Sequence, residues 1–256
     1  MELAIETHEL SRYFDDFHAV EGLELRVERG SFYGFLGPNG AGKSTTIKML
    51  TGLLAPTRGV IRVLGHDIAN PREALAVKRR LGVVSDDLAL FDYLTAREYL
   101  TFVGRMHLLP AATLRTRSDD LLSLLGLADE EKKLALEYSH GMKKKLALAA
   151  ALLPNPDLLF LDEPFEGVDA VTSHTIRDLL KSYVARGSTI FLTSHILEIV
   201  ERLCTHVGMI VRGKLVEQAA LETIRQGHSL ESRFLELAGA DSEATRKLDW
   251  LEERVS

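Results

Sequence analysis

The sequence predicts an α/β protein with a mostly parallel sheet core, an N-terminal antiparallel β subdomain and an α-helical subdomain inserted in that core. Three observations lead there. Residues 1 to 36 alternate short apolar runs with turn signals, as several consecutive strands do. LLFLD (158 to 162) and TIFLTS (189 to 194) are nearly continuous apolar runs, the composition of strands buried on both faces of a parallel sheet. From Tyr93 to Leu136 the pattern turns to helical periods broken by Pro110 and Gly126, with few strand formers.

In chain order, the first strands run through LAIETHEL, AVEGLELRV and SFYGFLG, the last ending at Leu36. GPNGAGKST follows and gives way to TIKMLTGLL, whose Ile47, Leu50, Leu53 and Leu54 recur at helical spacing, so the order is strand, loop, helix. After the PTRG turn, VIRVLG and RLGVVS read as further strands. The segment after Lys214 reads as helical and charged. Residues 1 to 240 are expected to form one domain, its helical subdomain inserted at about 88 to 150. Residues 241 to 256, including Trp250, form a charged tail that is either an interface or a solvated helix.

Composition narrows the class. The chain has 256 residues, 46% of them hydrophobic, enough to bury a large core. A net charge of −6 argues against broad, sequence-independent nucleic-acid binding, which needs Lys and Arg to neutralise phosphates. The single cysteine, Cys204, cannot form an intramolecular disulfide, so a reducing, cytoplasmic compartment is expected. MELAIETHELSRYF has neither a basic n-region nor an apolar h-region. No apolar run approaches the roughly 18 residues that span a bilayer, so a membrane role is expected to come through a partner.

The chemistry-bearing motifs fall at the ends of these elements. Gly37, Pro38, Asn39, Gly40, Ala41, Gly42, Lys43, Ser44 and Thr45 fit GxxxxGK[ST] between a strand and a helix, which makes the fold class a P-loop NTPase. Small residues let successive backbone N–H groups converge on a phosphate chain at a helix N-terminus. Lys43 is then expected to reach the β- and γ-phosphates and the Ser44 hydroxyl to ligate Mg²⁺. LLFLDEP sets Asp162 and Glu163 at the carboxyl end of a buried strand, where open α/β sheets bind ligands. Asp162 suits a water-mediated role on Mg²⁺, and Glu163 can take the proton of an attacking water. His195 follows TIFLTS and should emerge at the same edge, to bond the γ-phosphate or orient the water. Each feature alone has a structural reading, as a glycine turn, an acidic strand end or a strand-end histidine. Their combination points to nucleotide chemistry.

GPNGAGKST, YSHGM (138 to 142), LLFLDEP, the acid of EGVDA and TSH, in this order and spacing, resemble the nucleotide-binding ATPase of ABC transporters. The likeness is continuous from about Leu3 to Lys214, and SLESRFLELAG is similar to the tail of bacterial exporter ATPases whose permease is a separate chain. The resemblance implies a subunit that binds ATP and Mg²⁺, dimerises around two ATP molecules and drives a separate transmembrane permease, in export. It implies a place on the inner face of the cell membrane, reached through that permease. It implies that Ser139, His140 and Gly141, standing where the family has Leu-Ser-Gly-Gly-Gln, contact ATP held on the P-loop of a second ATPase subunit, identical or related. Ser139 can also cap the helix that starts there. By the same resemblance Tyr13 stacks on adenine, its other reading being a core strand tyrosine. Asp169 couples the two sites, caps a helix, or does both. Lys143 to Lys145 either add positive potential to the signature helix or form a solvated face.

Several positions depart from the family pattern. His140 replaces the first signature glycine. The usual Gln or Glu that senses Mg²⁺ and the permease is replaced by Asp86, or by Asp87 if the register slips by one. Asp86 can still ligate a hard cation through oxygen. Glu166 stands where a small Ser is common. The helical insertion, with the Asp86 loop at its hinge, is the expected docking surface for the permease. The competing reading is a soluble mechanochemical ATPase acting on ribosomes or DNA. Such relatives carry two modules or a long coiled coil before the signature, whereas here there is one module, with 96 positions between Lys43 and Ser139. A nucleotide switch with negligible turnover is suggested by His140 and Asp86 and opposed by Glu163 and His195.

Overall fold

The computed structural model describes residues 2–226 and 229–239, so the predicted tail over 241–256, with Trp250, lies outside the described residues. Strands β1 (Leu3–Phe14), β2 (Phe17–Leu23), β3 (Arg26–Glu28) and β4 (Phe32–Leu36) lead to helix α1 (Lys43–Leu50). Then come β5 (Arg58–Val63), β6 (His66–Asp67), α2 (Pro71–Lys78) and β7 (Leu81–Val84). The helical segment holds α3 (Ala96–Met106), α4 (Ala111–Leu124) and α5 (His140–Leu152). Strands return as β8 (Leu158–Asp162), β9 (Thr189–Thr193), β10 (His206–Val211) and β11 (Lys214–Ala220), with α6 (Ala170–Ala185) and α7 (Leu197–Leu203) between them. Helices α8 (Leu221–Arg225) and α9 (Leu230–Ala238) follow.

Two sheets result. The central one has the order β11-β10-β4-β9-β8-β7 and is parallel except at the β10–β11 edge. The other, β2-β1-β5-β6 with β3 paired to β1, is antiparallel. Alternation along the central strands explains their packing, because successive side chains leave opposite faces. Tyr33, Phe35, Phe160 and Phe191 face the antiparallel sheet and α1. Phe32, Leu36, Leu159, Leu161, Ile190 and Leu192 face the helical segment and α6. Phe35, Phe160 and Phe191 are fully buried, each contributing about 2 to 3 kcal/mol of transfer free energy.

Local signals set the helix bounds. Thr95 and Glu98 form a reciprocal capping box at the start of α3. Pro110 is the N-cap of α4, and Gly126 (φ 66°) follows its end, as the two breakers predicted. Two expectations change. The helix predicted through Leu54 stops at Leu50, because Gly52 takes φ 69° and Leu53 is turned out to solvent. The segment after Lys214, read as helical, opens with β11. Arg212 (φ 48°) and Gly213 (φ 79°) make the tight turn that folds it back on β10.

Candidate functional site

The phosphate loop is held from both sides before it holds anything itself. Gly42 is the N-cap of α1 at φ 109°, a conformation side chains resist, and a Cβ there would run into the Ala19 carbonyl of β2. The Gly213 N–H donates to the Ala41 carbonyl at 2.9 Å, which joins the loop to the β10–β11 turn. Ala41 is buried and serves the scaffold, while the first N–H groups of α1 have no partner one turn back and are left for an anion. Lys43 is 8% exposed, and its ammonium donates to the carbonyls of Gly37 (2.7 Å) and Pro38 (3.2 Å). Burial pulls its pKa down, while the carboxylates of Glu163 and Asp162 push it back up.

The opposite wall comes from β8 and β9. Asp162 pairs with Thr193 in parallel register, so the ends of both strands reach one edge. Asp162 is buried and accepts a hydrogen bond from the Thr193 hydroxyl. The Glu163 N–H reaches the same hydroxyl at 3.2 Å and the Thr193 carbonyl at 3.3 Å. Glu163 has φ 48°, and its Oε2 lies 3.0 Å from Nδ1 of His195. Its side chain is 13% exposed against 54% for the imidazole, so the carboxylate is oriented by a ring that water still reaches. This is the geometry of a general base with an orienting partner.

These walls enclose a cleft of about 450 Å³. Asn39, Gly40, Gly42, Lys43, Ser44 and Thr45 line it, opposite Asp162, Glu163, Glu166, His195 and Asp86. Asp86, rather than Asp87, is the aspartate of that loop at the cleft. Among the described residues no group of three His, Cys, Asp or Glu could hold a metal alone. Mg²⁺ is commonly held by one or two protein oxygens, with phosphates and water completing its octahedron. The hydroxyl of Ser44 and the carboxylates of Asp162 and Asp86 are hard donors of that kind.

Not every predicted residue meets there. Tyr13 pairs with His18 across the β1–β2 hairpin, stacks on it with centroids 4.1 Å apart, and has the Arg58 guanidinium over its ring. It does not line the cleft. Phe14 pairs with Phe17, and side chains opposite each other in a pair share a face. Phe17 and Ala19 line the cleft, so the aromatic groups of that face are Phe14 and Phe17. Sequence reasoning missed them, although aromatics flanking Asp15-Asp16 mark a two-residue hairpin turn. Thr193 was also missed, with a hydroxyl at the end of an apolar strand as its signal.

Ser139, His140, Gly141 and Asp169 lie outside the cleft. Ser139 is the N-cap of α5, its hydroxyl accepting from the Met142 N–H at 3.3 Å. Ser139 and His140 are exposed at the helix start, and Gly141 sits against the Gly167 carbonyl. Asp169 caps α6 by accepting from the N–H and hydroxyl of Thr172. The three lysines are neither a free basic patch nor a solvated face. Lys143 pairs with Asp92 (3.5 Å), Lys145 with Asp169 (3.4 Å), and Lys144 is buried.

Comparison with known proteins gives a consistent answer. The sequence profile of the ABC transporter family matches residues 20–166. The chain is 39% identical to the daunorubicin resistance ATP-binding protein DrrA3 of Streptomyces coeruleorubidus, over 87% of this chain and 70% of that one. It is 39% identical to the bacitracin transport ATP-binding protein BcrA of Bacillus licheniformis, over 88% and 72%. A solved ATP-binding subunit of an ABC transporter superposes with TM-score 0.85 at 31% identity, covering 91% of this chain and 99% of that one. With its P-loop, its strand-end carboxylates and its capped signature helix in place, the chain belongs to the ABC transporter family as an ATP-binding cassette, an ATPase of the P-loop fold.

Proposed function

We propose that the chain is the ATP-hydrolysing subunit of an exporter, working as a dimer around two Mg²⁺-bound ATP molecules and driving a separate permease. The observation that carries this is one cleft holding Lys43, Asp162, Glu163 and His195 together. Lys43 exchanges its two loop carbonyls for the β- and γ-phosphates. Glu163, held by His195, accepts the proton of the attacking water, and the Ser44 and Asp162 oxygens hold the cation. Mg²⁺ when bound neutralises phosphate charge, which the cleft requires, since four carboxylates there face a single lysine.

The second copy enters through α5. Its exposed, serine-capped start offers N–H groups to an anion, and its first turn carries no acidic residue of its own. Such reciprocal sites imply an isologous pair or a related chain. Permease docking is supported by a groove of about 350 Å³ between β7, α3 and α5, lined by the apolar side chains of Leu88, Tyr99, Val103 and Ala147 over the buried Val84. Phe91, exposed, stands between Tyr99 and the exposed Phe102, in ring contact with each. Ser85 lines the groove and Asp86 lines the cleft, so consecutive residues touch both places. Among the described residues no helix is long and apolar enough to cross a membrane, which leaves that task to the permease. Export is supported by relatives named for drug resistance and for Nod factor export.

The test is Glu163→Gln. Phosphate release should fall by roughly 10² to 10⁴, the range removed with a general base, while ATP stays bound and an ATP-dependent dimer accumulates on a sizing column. Unchanged release removes Glu163 from the mechanism.

A further inference from the structure

Lys144 is a buried cation that the reaction described above does not use. Its side chain is 1% exposed. The ammonium donates to the Glu163 carbonyl at 2.7 Å and lies 3.4 Å from Oε2 of Glu166, whose side chain is 54% exposed. Burying an ammonium is costly, and apolar side chains of similar volume fill such positions with equal or better stability. Packing alone therefore does not explain a lysine here.

What the ammonium holds is a strained peptide. Glu163 has φ 48° and precedes Pro164, and a side-chain-bearing residue resists both conditions. The hydrogen bonds to Thr193 fix its N–H side, and Lys144 fixes its carbonyl side. Released at the carbonyl, the peptide can relax toward the extended region and swing the carboxylate away from His195. Lys144 also belongs to α5. The same helix start touches the loop after Glu163 twice more, through Lys145 on Asp169 at 3.4 Å and Gly141 against the Gly167 carbonyl.

We infer that Lys144 is a positioning residue for hydrolysis: its buried ammonium, bound to the Glu163 carbonyl, aims the general base and ties it to the helix that begins at Ser139. The inference rests on the ATPase reading above. It adds that seating α5 on the partner's nucleotide and aligning the base for the chain's own nucleotide are one movement.

Lys144→Met keeps the length and apolar stem and removes the charge. Phosphate release against ATP concentration, direct nucleotide binding and melting temperature are measured together on the purified chain. The expected result is a kcat about 10- to 100-fold lower, as when a charge-assisted hydrogen bond is lost, with KM and bound ATP within about twofold. A purely structural lysine predicts the reverse, a lowered melting temperature with kcat per folded chain within about twofold, and that result overturns the inference. Should Lys144→Met fail to fold, Glu166→Gln decides: kcat about threefold lower at unchanged ATP binding supports the role, and an unchanged kcat overturns it. Wild-type chain that releases no phosphate refutes the ATPase reading and this inference with it. Active wild type beside an equally active Lys144→Met refutes the role of Lys144 alone.

Discussion

The cleft at the edge of the central sheet and the start of α5 both present a helix N-terminus, yet they differ in what surrounds it. In the cleft, Lys43 and Asp162 are buried and both are hydrogen-bonded within the same chain. At the start of α5, Ser139 and His140 face solvent, and the Ser139 hydroxyl is taken up by the helix cap. The cleft is therefore organised by folding. The α5 start is presented by folding and, in the proposed dimer, completed by association.

The comparison breaks most easily at Lys43. Lys43→Ala removes a buried, hydrogen-bonded cation facing two carboxylates and should weaken ATP retention by about two orders of magnitude, read by equilibrium binding. Retention at wild-type affinity would mean the cleft is not the nucleotide site, and the contrast with α5 would lose its first half. A smaller effect tests the aromatic lining of the cleft. Phe17→Ala should raise the KM for ATP about tenfold if its ring supports the base, because stacking contributes about 1 to 3 kcal/mol. Tyr13→Ala, on the other face of the hairpin, should leave KM within about twofold. The reverse ranking would return the adenine contact to Tyr13.

How much of this the sequence disclosed follows from where the information sits. Glycine, lysine and strand-end acids are read from local pattern because a phosphate loop needs backbone approach and a helix start in consecutive residues, so the gathering of Asn39, Gly40, Gly42 to Thr45, Asp162, Glu163 and His195 along one cleft was legible. Tyr13 was not placed, because strand register decides the face, and the bulges between Leu10 and Tyr13 are invisible in a linear pattern. The run KLVEQAA was misread because its pairing depends on the left-handed Arg212-Gly213 turn rather than on its own propensity. Lys144 looked like one of three equivalent surface lysines. Only the packing of the loop after Glu163 on α5 separates it from its neighbours.

The smallest effect tests the α5 side through Asp169. The hydrogen bond from the Thr172 N–H, helped by the Thr172 hydroxyl and by Lys145, holds its carboxyl down at about 2, below the ordinary carboxylate range. A depressed folded pKa stabilises the folded chain fully above the unfolded value, near 4, and that stabilisation is lost as pH falls toward the folded value. Asp169→Asn keeps an oxygen that can accept from Thr172 but loses the charge. Its melting temperature should therefore lie about a degree or two below wild type at pH 7, a small shift because the carboxylate is exposed. The gap should hold down to roughly pH 4 and close as pH approaches 2. A gap that stays constant across that window would show that the charge plays no part, leaving Lys144 and the Gly141–Gly167 contact to join the α5 start to the loop after Glu163.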